Sequence, residues 1–513
     1  MYSAGVLGID GYVITVESAV GPGLPGLRIV GQIDGPLHDA GMRVTAALGR
    51  CGVALPRCKQ IVNLGPAEQR KDGTGVDLAI ACALLVSHGV IPADSLAGVM
   101  LWGELAPDGS LRPPVDTLIA AETARREGFR VLALPNASAR EAALIAGLDL
   151  LLVPDLSRLI AHLRGEATLT NEPVCVLDHG ASRESMDDLV DIRDPLARLA
   201  LEVMIAGGHP LLVHGPHGSG KTSLTRQVAG LLDEVGDEDA LVLTKLQAKR
   251  SPIGELVRVP QVRIPDPSAS VVELLGGKRP GEVSLAHQGV LVLDELHEFS
   301  RDCVRGVRFA MEDKAVAFAG ARFPAGFRLL ATTRRCPCGW LGHPERACVD
   351  GPGAIRRFLA RIPQPLLDHV DLVVPLAVNP RATTMAPPRG EVRRRIALAR
   401  HRQRERLAGM PWRCNAEIPA SGAALEQLIP RTPAAEHLLI TIEPEPDRRA
   451  LRRLCRVART IADLDLERDP AEPIDVDTVE LASQLRRLPV VPVGEPRSID
   501  NAKRRQLVLP DVV

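Results

Sequence analysis

Aromatic side chains are scarce in this 513-residue chain: Phe, Tyr and Trp together make up 2% of it. Leu, Val, Ile and Ala must therefore fill the cores, and a hydrophobic content of 45% is ample for that. Net charge is lacking too. With 62 Lys and Arg against 63 Asp and Glu, bulk electrostatics gives no pull toward nucleic acid or a membrane surface, so any DNA contact must come from a local patch. No segment offers 18 uninterrupted apolar residues, which argues against a transmembrane helix, and Met1 to Gly11 lacks the basic and apolar regions of a signal peptide. A soluble, cytoplasmic protein with no membrane partner is the expectation. Ten cysteines in so long a chain do not make a disulfide framework, and most are expected to be reduced core residues.

What the chain does have is a complete phosphate loop. Gly215-Pro216-His217-Gly218-Ser219-Gly220-Lys221-Thr222 follows the apolar run Pro210 to Val213 and precedes a helix-compatible segment, Ser223 to Leu232. The glycines let backbone N–H groups turn toward phosphates, Lys221 reaches the β and γ oxygens, and the Thr222 hydroxyl can ligate Mg²⁺. Some 70 residues on, Gly289 to Leu293 is an apolar run ended by Asp294 and Glu295. Four apolar residues in a row fit a parallel strand buried on both faces. In this Walker B arrangement Asp294 holds the Mg²⁺ shell and Glu295, a catalytic candidate, polarises the attacking water. ATP and Mg²⁺ are the expected ligands. Upstream, Asp194 to Ala206 places Leu196, Leu199, Ala200 and Val203 on one helical face.

The first 165 residues alternate strand-like runs (Gly5 to Glu17, Leu27 to Val30, Gln60 to Leu64) with helix-like ones (Ala40 to Cys51, Gly75 to His88). Lys71 to Leu78, Trp102-Gly103-Glu104-Leu105 and Gly109 to Pro113 resemble the proteolytic domain of Lon-type proteases, which use a Ser-Lys dyad. Gly75 stands where that family has its serine, and Asp116-Thr117-Leu118 where it has the lysine. With neither nucleophile nor base, peptide cleavage has no mechanism, and a scaffold or assembly role is expected.

Pro280 to His287, Gly289 to Phe299, Cys336-Pro337-Cys338-Gly339, Pro365 to Asp368 and Arg456 to Leu464 are similar to the YifB/ComM group. Those are AAA+ ATPases related to the ATPase subunit of magnesium chelatase. The resemblance implies an α/β protein of three parts: a Lon-like α+β domain (1–165), an AAA+ parallel-sheet core (186–380) and a C-terminal helical lid (381–490). Residues 166–185 form a linker and 491–513 a tail. It further implies a homo-oligomeric ring, usually a hexamer, with ATP between subunits and, in ComM-type members, DNA branch migration during recombination. Ser268 to His287 would be an insertion and Ala315 to Phe327 a hairpin facing the pore. Lys278, Arg279 and Arg322 there are candidate phosphate contacts, with ordinary solvated basic residues as the rival reading.

The chain departs from the group at Arg334-Arg335, where Asn-Pro is usual, with Thr332 or Thr333 as candidate substitutes. It departs again at His369, where an arginine finger is usual, with Arg361, Arg356 or Arg357 as candidate replacements. Arg449 falls at the position of the sensor arginine of the lid, among Arg448, Arg452 and Arg453. Slow ATP turnover by a nucleotide-gated assembly factor is therefore the rival to a DNA motor. Cys336, Cys338 and Cys348, with Asp350 or His343, are candidate Zn²⁺ ligands. In the C-terminal part, Glu391 to Leu407 is a basic helix with Val392, Ile396 and Ala399 on one face. Arg448 to Asp463 carries Leu451, Leu454, Cys455, Ala458 and Ile461 as its stripe.

Overall fold

The computed structural model describes residues 1–56, 58–169, 194–378, 387–419, 423–442, 448–486, 491–492 and 506–507. The expected linker lies mostly outside the described residues, as do residues 379–386 of the proline-rich crossing and most of the tail.

The N-terminal strands are β1 (Tyr2–Leu7), β2 (Asp10–Gly21), β3 (Gly26–Val30), β4 (Lys59–Gly65), β5 (Val99–Leu101), β6 (Glu104–Leu105), β7 (Leu111–Arg112), β8 (Val131–Pro135) and β9 (Asp149–Val153). Seven of them form one mixed sheet in the order β3-β4-β2-β1-β5-β8-β9, and β6 pairs with β7. The single run expected from Gly5 to Glu17 is two antiparallel strands, because Gly8 at φ 67° lets the chain reverse between Leu7 and Asp10. Side chains alternate across the sheet as the two-residue period requires. Ala133 packs with Leu78 and Leu84 on one face, while Leu132 and Leu134 pack with Leu118 and Ala124 on the other. At Gly75 a Cβ would stand 2.3 Å from the Trp102 ring, so a serine could enter there only if that ring shifted.

The second sheet is fully parallel. Its strands are β10 (Leu211–His214), β11 (Val262–Arg263), β12 (Val290–Leu293), β15 (Arg328–Thr333) and β16 (Leu372–Pro375), in the order β11-β12-β15-β10-β16. Between β12 and β15 the chain makes the hairpin β13 (Ala315–Phe318) and β14 (Ala321–Pro324). Leu211, Val213, Val290 and Val292 enter the core on one face, and Leu212, Leu291 and Leu293 the core on the other. That burial on both sides is why the strands read as unbroken apolar runs. The helix after the phosphate loop is shorter than expected: Lys221–Gln227 is α-helical and Val228–Leu231 continues as a 3₁₀ turn.

Of the C-terminal helices Arg389–Arg406, Ala423–Leu428, Pro433–Ile442, Arg448–Leu464 and Val476–Gln484, the first and fourth pack on the helix Pro195–Gly207, while Val476–Gln484 packs on Arg448–Leu464 and Pro433–Ile442. Val392, Ile396, Ala399, Leu454, Cys455 and Ala458 join the same core as Val203 and Leu211. Arg394 and Arg404 of the helix Arg389–Arg406 are exposed, but several of its other arginines are engaged within the chain. Arg393 meets Asp233 at 3.5 Å, Arg395 meets Glu202 at 3.1 Å, and Arg402 donates to the carbonyls of Asp463, Asp465 and Arg468. Among the described residues no helix is long and apolar enough to cross a membrane.

A buried polar network joins this helical layer to the sheet. Asp371, just before β16, lies 2.8 Å from His209 Nδ1, whose Nε2 lies 2.8 Å from the Thr460 hydroxyl, and Arg456 approaches Asp371 at 3.5 Å. Burial alone would raise the Asp371 pKa, but Arg456, His209 and Arg453 outweigh it and hold the carboxyl at about 2, below its ordinary 3.8. A depressed folded-state value means stability that is fully present above pH 4 and is lost as pH falls toward about 2. Asp371→Asn is accordingly expected to destabilise by roughly 3 kcal/mol at pH 7, because it leaves buried cationic partners uncompensated. In urea unfolding, the gap to the parent chain should narrow between about pH 4 and about pH 2. A gap independent of pH would contradict this role.

Candidate nucleotide site

In a parallel sheet, ligands are received beyond the carboxyl ends of the strands, and three adjacent strands here deliver their ends to one place. β10 leads into Gly215 to Thr222, β12 into Asp294 and Glu295, and β15 lies between them and ends at Thr332, Thr333 and Arg334. Registers pair His214 with Thr333 and Leu293 with Ala331, so β12 ends two residues short of the other two strands and Asp294 and Glu295 follow beside Thr332.

Within the loop Gly218 and Gly220 take φ values of 74° and 89°, open to glycine at little cost. Gly215 has its own reason: a Cβ there would meet the Leu376 carbonyl at 2.5 Å. Lys221 is buried, its Nζ donating to the carbonyls of Gly215 and Pro216 at 3.0 Å each. Burial lowers its pKa, with Glu295 and Asp294 pulling the other way. The Ser219 hydroxyl donates to Pro216 O at 2.9 Å. His217 donates its N–H to Gly339 O at 2.9 Å, and its ring lies against Trp340; burial, then Arg334 and Lys221, lower its pKa.

Thr222 and Asp294, 72 residues apart in sequence, meet: the Thr222 hydroxyl donates to Asp294 Oδ2 at 3.3 Å, and the Thr332 hydroxyl donates to Oδ1 at 2.5 Å. A hydroxyl and a carboxylate facing each other are hard-oxygen ligands of the kind Mg²⁺ takes, and the lysine beside them is the cation that a nucleotide phosphate takes. Glu295 sits at φ 54°, a left-handed conformation rare outside glycine, and its N–H is held by the Thr332 hydroxyl at 2.9 Å.

The carboxylate of Glu295 is not free. Arg334 Nε donates to its Oε2 at 2.9 Å, while Nη2 reaches Glu298 at 2.7 Å and His297 Nε2 at 2.8 Å. Burial, with Arg334, Arg361 and Lys221 nearby, pushes the His297 pKa down to about 4, so the ring is neutral near pH 7 and accepts from Arg334. His297 and Glu298 were not singled out in the sequence. Their signal was present in the Asp294-Glu295-Leu296-His297-Glu298 spacing, but it carries no known chemistry by itself. Thr333, the other candidate substitute, is turned toward His297 at 3.2 Å.

Arg361 shares a 410 Å³ pocket with Arg334, Arg357, His297 and Glu298. His369 is elsewhere, 2.8 Å from Glu312 in a 1280 Å³ cleft that contains no residue of the phosphate loop. The side chain of Arg449 lies outside the described residues, although its backbone belongs to the helix Arg448–Leu464.

Two of the three candidate DNA contacts are engaged within the chain. Lys278 pairs with Asp72 at 3.1 Å, and Arg322 donates to Asp313 O at 3.2 Å. The hairpin packs through Ala321 and Phe323 against Ile9, Leu246 and Leu285. Lys245 and Lys249 fasten the same face to Glu122 and Asp116, at 2.9 and 2.8 Å.

The structure brings Cys336, Cys338 and Cys348 together with Asp350, one ligand atom of each lying within 4.8 Å of the others. His343 is outside this group, and its Nδ1 accepts the N–H groups of Glu345 and Arg346.

Comparison with known proteins gives three adjoining matches. The family model described as magnesium chelatase, subunit ChlI, matches residues 188–384; that of subunit ChlI of Mg-chelatase matches 16–138; and that of the subunit ChlI C-terminal part matches 388–486. An uncharacterised protein of Mycobacterium tuberculosis is 33% identical over 510 residues, covering 95% of this chain and 98% of its own length. The uncharacterised protein YifB of Escherichia coli is 33% identical over 484 residues, 91% of this chain and 93% of its own. Competence protein ComM of Haemophilus influenzae is 30% identical over 509 residues, 95% and 98% of the two chains.

Proposed function

Because the chain belongs to the YifB/ComM family of magnesium-chelatase-type proteins, we propose that it is an ATP-driven AAA+ ring ATPase whose substrate is DNA. The observation that carries the ATPase reading is the meeting of Thr222, Asp294 and Glu295 at the ends of β10 and β12, beside Lys221. In this reading the backbone of residues 215–222 and Lys221 hold the phosphates. Thr222 and Asp294 would hold Mg²⁺, which would supply positive charge beside the phosphates. Glu295 orients and polarises the attacking water. Arg361 serves a neighbouring subunit's site in a homo-hexamer, Arg449 reaches the nucleotide from a C-terminal helical lid, and the Lon-like region 1–165 is an assembly domain without peptidase chemistry.

The DNA reading draws support from family membership and from Lys278, Arg279 and Arg322; Lys278 and Arg322 would have to exchange their present partners, Asp72 and the Asp313 carbonyl, for phosphates. A second reading, a nucleotide-gated assembly factor with slow turnover, is favoured by the ion pair between Arg334 and Glu295. Steady-state ATP hydrolysis with and without branched DNA separates them. The motor reading expects DNA to raise the rate about tenfold or more, since productive engagement must overcome a restrained resting site. A rate indifferent to DNA would end it and leave the second.

A further inference from the structure

We infer that Cys336, Cys338, Cys348 and Asp350 form a Zn²⁺ site whose loop clamps the phosphate loop through His217, so that metal occupancy sets nucleotide affinity. The coupling rests on the reading of Gly215 to Thr222 as the ATP site.

The geometry of the ligands comes first. With Zn–S bonds of about 2.3 Å, the sulfurs of a tetrahedral site stand about 3.8 Å apart. Here Cys336 Sγ and Cys338 Sγ are 3.5 Å apart, Cys338 Sγ and Cys348 Sγ 3.5 Å, and Cys348 Sγ and Asp350 Oδ2 3.7 Å. Disulfide-bonded sulfurs would be about 2.05 Å apart. The ligands are also held from outside. Leu341 N–H donates to Cys336 Sγ at 3.3 Å, and Cys338 N–H donates to Asp350 Oδ2 at 2.8 Å, so two backbone donors fix a sulfur and the carboxylate in place. Three thiolates with one carboxylate suit Zn²⁺ and not the hard-oxygen cations.

The second link runs through the turn that carries the first two ligands. Gly339 N–H donates to Cys336 O at 3.1 Å, closing that turn, and Gly339 O accepts the His217 N–H at 2.9 Å. Gly339 lies at φ 75°, and a Cβ there would stand 2.1 Å from the His217 ring, so that ring packs directly on the Gly339 backbone. Trp340, next in the chain, packs its ring 5.2 Å from that of His217 and carries the Arg346 guanidinium 4.4 Å over it. His217 stands four residues before Lys221. Metal that fixes residues 336–340 therefore fixes the middle of the phosphate loop, and a loop released by metal loss must be ordered again by the nucleotide.

The test uses the full-length chain. Elemental analysis should find one Zn²⁺ per chain, and Co²⁺ in its place should give thiolate-to-metal charge-transfer absorption that Cys348→Ser abolishes. Metal removal by chelation, with folding followed by circular dichroism, should weaken ATP binding about five- to tenfold, the scale of one lost hydrogen bond. Trp340→Leu touches no ligand; it should keep its zinc yet bind ATP about fivefold more weakly. Less than about a tenth of an equivalent of zinc, with no cobalt band, would overturn the site. Full zinc with affinity unchanged both by its removal and by Trp340→Leu would overturn the clamp alone. Absence of ATP binding in every form would overturn the phosphate-loop reading and the clamp with it, while the zinc analysis would still stand.

Discussion

Lys221→Ala is expected to weaken ATP binding at least about a hundredfold, because it removes a charge-assisted contact worth roughly 3 kcal/mol from a shielded position. Lys221 is the buried cation of the loop: its side chain is held by two loop carbonyls, Gly215 O and Pro216 O, at the place where the phosphates would arrive. Its desolvation, expressed as a lowered pKa, is tolerated in part through the nearby Glu295 and Asp294. An arriving phosphate offers the ammonium a stronger acceptor than a neutral carbonyl, so binding energy is gained where burial has already been suffered. The alanine variant loses that gain without disturbing β10 or the helix after it, which pack through Leu211, Val213 and Leu224. Isothermal titration with ATP and Mg²⁺ measures the loss, and circular dichroism confirms the fold.

Arg334→Ala is expected to raise ATP turnover about tenfold, the scale of one released ion pair of roughly 1 kcal/mol or more in a partly shielded site. Arg334 lies between Glu295, Glu298 and His297, with its Nε donating to one oxygen of the Glu295 carboxylate. Both partners are mostly buried, with side-chain exposures of 18% and 27%, so the pair is screened less than a surface one. In the proposed reading, the pair competes with the attacking water for the Glu295 carboxylate. The opposite outcome has a definite meaning too. Were Arg334 a stabiliser of charge developing on the phosphates, its loss would cost on the order of a thousandfold in rate, as for an arginine finger. The sign of the change therefore decides between restraint and catalysis, and steady-state hydrolysis reads it.

The parts of this site that were legible in the sequence are those whose spacing is local. The phosphate loop needs eight consecutive residues and the Walker B strand six, and each strand is buried on both faces, which writes an unbroken apolar run. The helical stripes through Val392, Ile396 and Ala399 and through Leu454, Cys455 and Ala458 were legible for the same reason, since a period of 3.6 survives in one dimension. What the sequence hid is set by contacts across long separations. Arg334 and Glu295 are 39 positions apart, and nothing in either stretch announces that one would restrain the other. His209, Asp371 and Thr460 form one chain of polar contacts across 251 positions. Lys278 reads as a DNA-facing or solvent-facing charge until Asp72 is seen beside it, and the pairs of Lys245 with Glu122 and Lys249 with Asp116 likewise join residues far apart in sequence. The role of Gly339 could not be inferred either, because its close approach is to His217, more than a hundred residues earlier.

Single-turnover hydrolysis of bound ATP, compared between the parent chain, Arg334→Ala and the double variant Arg334→Ala with Glu295→Gln, tests most directly the claim that this is an ATPase site whose catalytic carboxylate is held back by Arg334. The account predicts slow hydrolysis in the parent and an increase of about tenfold in Arg334→Ala. It predicts a rate at least about a hundredfold below the single variant in the double one, with ATP still bound in all three. A drop in Arg334→Ala, or a double variant that hydrolyses as fast as the single one, would contradict it.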